Sequence, residues 1–178
     1  MTGSGFAGPR ETTSSISPGP SARAQQLRDV IAAVPDPEIP VLTIDDLGIL
    51  RDVAEDDGRL TVTLTPTYSG CPAIDPIRDA VAQHAAGAGF GDVEVVMQLA
   101  PAWTTAWMSD DGRRKLRDYG IAPPSDRAIG CPLAQVPVAC PRCGSERTRL
   151  VTRFGATPCQ AQYACGDCLE PFDHFKAH

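Results

Sequence analysis

The sequence predicts an α/β (α+β) domain over residues 21–124 and a separate small β module over residues 137–178. Three observations carry this. Residues 60–65, 73–88 and 93–99 read as strand, helix and strand from their apolar spacing. Four of the seven cysteines fall into two C-x-x-C pairs in the last 40 residues. The charge balance also changes: residues 23–125 hold 16 acids and 9 bases, whereas residues 137–178 hold 4 and 5. The Pro- and Gly-containing stretch between them, residues 125–136, reads as a linker.

Residues 1–20 contain 14 Gly, Pro, Ser or Thr. Ordering a residue's backbone costs about 1–2 kcal/mol, and this segment has little apolar surface to offset that. It is expected to be a disordered tail. Ser21 is placed to cap a helix with Leu27, Val30, Ile31 and Val34 on one face, stopped by Pro35. The run from Pro35 (PDPEIPVLTIDDL) begins too proline-rich for regular structure. Residues 48–54 and 60–65 flank the acidic turn Asp56-Asp57-Gly58 and read as a hairpin. Leu60, Val62 and Leu64 alternate with threonines, the mark of a half-buried strand. Ile74, Ile77, Val81 and Ala85 recur at helical spacing, so residues 60–99 form a right-handed βαβ crossover. A short helix over residues 113–119 follows, and Pro123-Pro124 ends the domain.

Several function classes are disfavoured at once. A net charge of −6 argues against a protein held to nucleic acid through its phosphates. No window approaches the ~18 apolar residues that a membrane helix needs, so no membrane partner is expected. No signal peptide is visible, and an odd cysteine count with paired C-x-x-C motifs suits a reducing, cytoplasmic setting. The expected site classes are metal binding and thiol chemistry.

Cys140-Pro-Arg-Cys143-Gly and Cys165-Gly-Asp-Cys168 are separated by 21 residues. Each C-x-x-C makes a tight turn with both thiolates on one side, and two such turns supply four sulfurs in a tetrahedron. Gly144 and Gly166 relieve the backbone crowding of these turns. A module this small buries little core, so metal binding supplies much of its folding energy. The leading reading is a zinc ribbon with Cys140, Cys143, Cys165 and Cys168 as ligands. Four thiolates also suit iron or an iron–sulfur centre, and a redox dithiol is the third alternative. Cys159 replaces a ligand, extends this site, or sits in the core as a small apolar group. His174 and His178 follow no ligand spacing, and Cys131 lies in the linker.

In the first domain, Thr65-Pro-Thr-Tyr-Ser-Gly-Cys71-Pro-Ala-Ile places Cys71 between a strand and a helix. With Pro72 at the first helical position, amide donors and the helix dipole are expected to lower the thiol's pKa. A thiolate there is a nucleophile or a soft metal ligand; a cysteine buried beneath the turn is the alternative. His84, the one histidine of this domain, is expected at the surface, and so are the carboxylates Asp36, Glu38, Asp45 and Asp46. Trp103 and Trp107 read as packing residues, and the Arg113-Arg114-Lys115-x-Arg117 cluster as a solvated helix face.

Asp36-Pro-Glu-Ile-Pro-Val-Leu-Thr-Ile-x-Asp-Leu-Gly48 and Thr65-Pro-Thr-Tyr-Ser-Gly-Cys-Pro-Ala73 resemble the domain of metal–sulfur cluster assembly proteins related to SufT. Pro101-Ala-Trp-Thr-Thr105, Tyr119-Gly-Ile-Ala-Pro-Pro124, both C-x-x-C pairs and Glu170-Pro-Phe-Asp173 extend the resemblance to the PaaD family. These are the D components of bacterial phenylacetyl-CoA epoxidase systems, and the likeness covers residues 22–178. It implies a non-catalytic accessory in aerobic phenylacetate breakdown, serving a diiron oxygenase and a flavin/iron–sulfur reductase. It implies zinc, or iron, at the four paired cysteines. It also implies that Cys71 contacts a transient iron or iron–sulfur cargo. An integral structural or electron-transfer component is the alternative reading. Two positions depart from the expected pattern: Ala106 stands where an acid is expected, and Ala177 where a cysteine is.

Overall fold

The computed structural model describes residues 19–125 and 137–177. The expected tail up to residue 18, the linker at 126–136, Cys131 and His178 lie outside the described residues.

Helix α1 (Ala22–Ile31) starts where Ser21 accepts a hydrogen bond from the Ala24 N–H at 3.0 Å. Ala24, Leu27 and Ile31 form its buried stripe. The helix stops before Val34, which is buried in the turn that follows. Strands β1 (Leu50–Asp56) and β2 (Arg59–Leu64) form the expected antiparallel hairpin. Asp57 and Gly58 both have positive φ, 45° and 78°, the conformation a two-residue hairpin loop prefers. On β2, Leu60, Val62 and Leu64 are buried while the threonines between them are half-exposed. Helix α2 (Ile74–Gly87) buries Ile77, Val81 and Ala85. It leads into β3 (Glu94–Met97), which pairs in parallel with β2. The first sheet thus has the order β1-β2-β3.

Ser109 caps helix α3 (Asp110–Tyr119) by accepting from the Gly112 N–H at 2.9 Å, and Asp110 and Asp111 favour its first turn. This start lies three residues before the expected one at residue 113, because the Ser109 cap sets it. Asp46 ties the proline-rich loop to this helix. Its carboxylate accepts from the Thr43 N–H (3.0 Å), the Ser109 hydroxyl (3.2 Å) and the Lys115 ammonium (2.7 Å).

The second sheet reaches into the first domain. Strand β4 (Ile121–Ala122), unassigned in the sequence and just before the Pro123-Pro124 expected to end the domain, pairs in parallel with β7 (Pro171–Phe175). With β6 (Gln160–Cys165) and β5 (Thr148–Thr152) the order is β4-β7-β6-β5. Phe175 is 1 % exposed and belongs to the same core as Leu27, Ile77 and Leu116. Its ring meets that of Trp103 at a centroid distance of 6.2 Å. Burying a phenylalanine contributes roughly 1.5–3 kcal/mol, so this contact fastens the module to the domain. No described helix is long and apolar enough to cross a membrane.

Candidate functional site

Two groups of sulfur-bearing side chains stand apart in the molecule. The first lies at the tip of the second sheet. The turn at Cys140 closes through Gly144 N–H to Cys140 C=O and Cys140 N–H to Ser145 C=O, both 2.9 Å. Gly144 has φ +76°, which a side chain would resist. In the other turn the Gly166 N–H donates to the Arg147 carbonyl at 2.6 Å, and a Cβ there would lie 3.0 Å from that oxygen. Asp167 bridges the two turns, accepting from the Ser145 hydroxyl and pairing with Arg147.

The four sulfurs of Cys140, Cys143, Cys165 and Cys168 lie within 4.8 Å of one another. Cys140–Cys168 and Cys143–Cys165 are 3.7 and 3.6 Å apart. Metal–sulfur bonds of about 2.3 Å in a tetrahedron place sulfurs roughly 3.8 Å apart, so the donor set fits one ion. Among the described residues this is the only group of three or more ligand-type side chains drawn so close. His174 takes no part: its Nδ1 lies 3.1 Å from the Ala122 carbonyl, and its ring meets Tyr163 edge-on.

Cys159 is not an extension of that group. It is 5 % exposed and sits in the core cluster of the first domain. The Lys176 N–H donates to its carbonyl at 2.9 Å, and Thr157 Oγ1 lies 2.9 Å from its sulfur. Its thiol points to Glu38 Oε2 at 3.9 Å. Of the three readings of Cys159 the core position is the one the structure shows, and its thiol faces the carboxylate of the second group, around Cys71.

Cys71 is half-buried in the turn between β2 and α2 and packs against the same core. Pro72 and Ala73 form a turn, and the helix begins at Ile74, so Cys71 stands outside its first turn. The expected lowering of its pKa is overturned. Burial raises it; the Ala73 N–H and the Thr67 hydroxyl oppose this, and the charges of Glu38 and Asp36 raise it further. Cys159 is pushed up to about 11 by burial, against Thr157, and by Glu38, Asp36 and Cys71. Tyr68 is pushed up to about 12 by burial and then by Cys71, Glu38 and Cys159.

The carboxylates come from the proline-rich loop. Asp36 is buried, not solvated as expected: its Oδ1 accepts from the Glu38 and Ile39 N–H groups at 2.8 and 2.7 Å. Burial nevertheless raises its pKa, with those two N–H groups working the other way. The turn it makes holds Glu38 beside the Cys159 thiol. Burial and then the Asp36 charge raise the pKa of Glu38, opposed by Cys159. Sequence spacing assigns Glu38 no role, because its partner Cys159 lies 121 positions away. The signal available is the DPE run itself, with Asp36 at the head of a turn. A cleft of 350 Å³ lined by Glu38, Arg142, Gln160 and Asp173 opens beside it.

The remaining candidates are structural or peripheral. His84 is exposed, as expected. Trp103 is buried and donates its indole N–H to the Leu47 carbonyl at 2.8 Å. Trp107 lies under the Arg51 guanidinium at 3.6 Å. The basic cluster is less solvated than its spacing suggests. Arg113 donates to the Pro124 and Thr105 carbonyls, and Lys115 pairs with Asp46. Asp45 pairs with Arg28 at the surface.

Comparison with known proteins follows the same two-part division. The profile of the iron-sulfur cluster assembly protein family matches residues 24–97, and that of the PaaD zinc beta ribbon domain matches residues 124–176. A protein of Escherichia coli (strain K12), provisionally named as the D component of 1,2-phenylacetyl-CoA epoxidase, is 48 % identical over 147 residues. That match covers 83 % of this chain and 88 % of the relative. An Fe-S protein maturation auxiliary factor of Porphyromonas gingivalis (strain ATCC BAA-308 / W83) is 35 % identical over 89 residues, 49 % of this chain and 84 % of that one. Among solved structures, a domain of unknown function DUF59 from Bacillus anthracis is 28 % identical. It covers 52 % of this chain and 90 % of its own, with a TM-score of 0.49.

Proposed function

This chain belongs to the PaaD family of phenylacetyl-CoA epoxidase components, and from that premise we propose that it is a non-catalytic accessory of the epoxidase. In this reading it helps load or maintain the iron–sulfur or diiron centre of partner subunits during aerobic phenylacetate degradation. The partners are the diiron oxygenase and the flavin/iron–sulfur reductase, and the setting is the cytoplasm. Cys140, Cys143, Cys165 and Cys168 hold a resident zinc ion that folds the ribbon. Cys71 makes the transient contact with the iron or iron–sulfur cargo.

The observation that carries the reading is the placing of Cys71. It is a thiol in a Thr- and Tyr-lined turn, beside Glu38 and separate from the four-cysteine group. A soft donor with a carboxylate neighbour can take up a thiophilic metal, and a site with few fixed donors can release it. Membership of the iron-sulfur cluster assembly family over residues 24–97 supports the same role.

The test uses the partner subunits as reporters. They are purified after production with the wild-type chain, with Cys71→Ser, and without the chain, and their iron and acid-labile sulfide are measured. The expected result is a deficit both without the chain and with Cys71→Ser. Full iron and sulfide in both, whatever the turnover, would sink the reading.

A further inference from the structure

We infer that Cys159 and Glu38 join Cys71 in a second metal-binding site, assembled across the junction of the two modules for a thiophilic divalent cation. The inference rests on the reading of Cys71 as the cargo contact and adds its two co-ligands.

One contact distance, a shared core and a shared electrostatic neighbourhood carry it. The Cys159 thiol lies 3.9 Å from Glu38 Oε2, so a soft and a hard donor already face each other. Cys71 packs against the core cluster that contains Cys159. Cys71, Glu38 and Cys159 all act electrostatically on Tyr68, whose carbonyl accepts from the Cys71 N–H. Each donor is held by a different device. Asp36 fixes the Glu38–Ile39 backbone by accepting one N–H bond from each residue, Thr157 and the Lys176 N–H hold Cys159, and the Cys71 N–H donates to the Tyr68 carbonyl at 3.2 Å.

A burial role alone explains little of this. A cysteine used as a small apolar group needs no carboxylate beside it. Two thiols and a carboxylate form a mixed donor set that binds zinc, iron or cobalt. The three donors do not come within 4.8 Å of one another, unlike the ribbon sulfurs. Binding therefore requires Cys71 or Cys159 to rotate inward, which suits an ion that must later leave. The arrangement also gives the ribbon a task beyond its own fold: it carries Cys159 to the first domain.

The experiment titrates the full chain, its ribbon filled with zinc, with Co(II) under anaerobic conditions. Bound cobalt, retained zinc, thiolate-to-cobalt charge-transfer absorption and protection of Cys71 from alkylation are read together. The wild type is expected to bind one further Co(II) with a charge-transfer band and to protect Cys71. Cys159→Ser and Glu38→Gln should each weaken that binding by about tenfold or more, Cys159→Ser also dimming the band. Cys159→Ala provides a second variant should serine disturb the core. Wild-type cobalt affinity in both folded Cys159 variants overturns the inference. So does a wild type that takes up no second ion. In either case the partners' iron and sulfide content still decides the role of Cys71 by itself, so the two failures are distinguishable.

Discussion

At the ribbon's tip four sulfurs lie within 4.8 Å of one another, each pair fixed by its own turn and the two turns bridged by Asp167. At the junction, Cys71 and Cys159 come from different modules, are set more widely, and have acidic neighbours in Asp36 and Glu38. Both regions offer soft donors. They differ in how much of the ligand geometry exists before metal arrives. Where the protein has already ordered four thiolates, binding costs little reorganisation and release is slow. Where side chains must rotate, part of the binding energy is spent on ordering them, and the same ion is held less tightly. Permanence here follows from preorganisation and donor count, not from the element that binds.

The largest expected effect comes from breaking the preorganised side. Cys140→Ser or Cys168→Ser should cost the chain one metal ion. Structural zinc contributes about 10–16 kcal/mol to the folding of small finger peptides, so the ribbon should lose its fold with the ion. Charge balance and the linker suggest that the first domain would be indifferent. The structure predicts otherwise, because β4 belongs to the ribbon sheet and Phe175 and Cys159 lie in the first domain's core. Elemental analysis paired with a thermal melt checks this. A variant whose first domain melts unchanged would show the two regions to be independent.

Next in size is Phe175→Ala, which cuts the junction without touching either sulfur group. Removing a buried aromatic ring costs about 3–5 kcal/mol. The ring contact with Trp103 disappears, while the four-cysteine group keeps its ligands. Lower urea midpoint with full ribbon metal is the expected pattern. Loss of metal at unchanged stability would invert the proposed dependence.

How much of this is legible in the sequence follows from range. Alternation in residues 60–65, the Asp57-Gly58 turn and the two C-x-x-C pairs are local patterns, and each appears where expected. The paired cysteines are readable because both members of each pair sit in one turn. Strand β4 is not, since two residues carry no periodicity and its partner lies in β7. A core place for Cys159 is among its sequence readings, but its meeting with Glu38, 121 positions away, is not. The Cys71 pKa goes astray for the same reason. The helix dipole is visible locally, but burial and the Asp36 and Glu38 charges arise from the loop that folds over it.

A smaller effect concerns that loop. Burial pushes the Asp46 carboxyl up, but hydrogen bonds from Lys115 and Thr43 and the Lys115 charge hold it below its ordinary value. A depressed carboxyl stabilises the fold above its unfolded pKa and loses that contribution as pH falls through the folded value. Asp46→Asn should therefore cost about 2 kcal/mol near neutrality and flatten the acid limb of a stability–pH curve. The ribbon side should not respond until its own ligands take up protons. An unaltered acid limb would remove Asp46 from the account of how the loop is held.

The finest test separates the two regions by proton affinity at Cys71. Burial raises this thiol's pKa, and the Glu38 and Asp36 charges add to the rise. Because the folded value exceeds the unfolded one, the thiol's contribution to stability is complete at lower pH. It is lost as pH rises through the folded value. Alkylation of Cys71 should accordingly set in at higher pH than that of a free thiol in an unfolded peptide. Glu38→Gln removes one of the two charges but leaves burial in place, so the onset should move down without reaching the free-thiol position. Asp36→Asn offers the second charge, though it also weakens the turn that holds Glu38. Metal reverses the order of these effects, since a bound cation favours the thiolate that the carboxylates disfavour. Adding Co(II) to the zinc-filled chain should then protect Cys71 in the wild type and protect it less in Glu38→Gln. The measurement is the alkylation rate of Cys71 against pH, resolved by peptide mass, for both chains with and without cobalt. An onset at or below the free-thiol position in the metal-free wild type would mean that neither burial nor the carboxylates govern this sulfur. Its difference from the ribbon thiols would then need another cause.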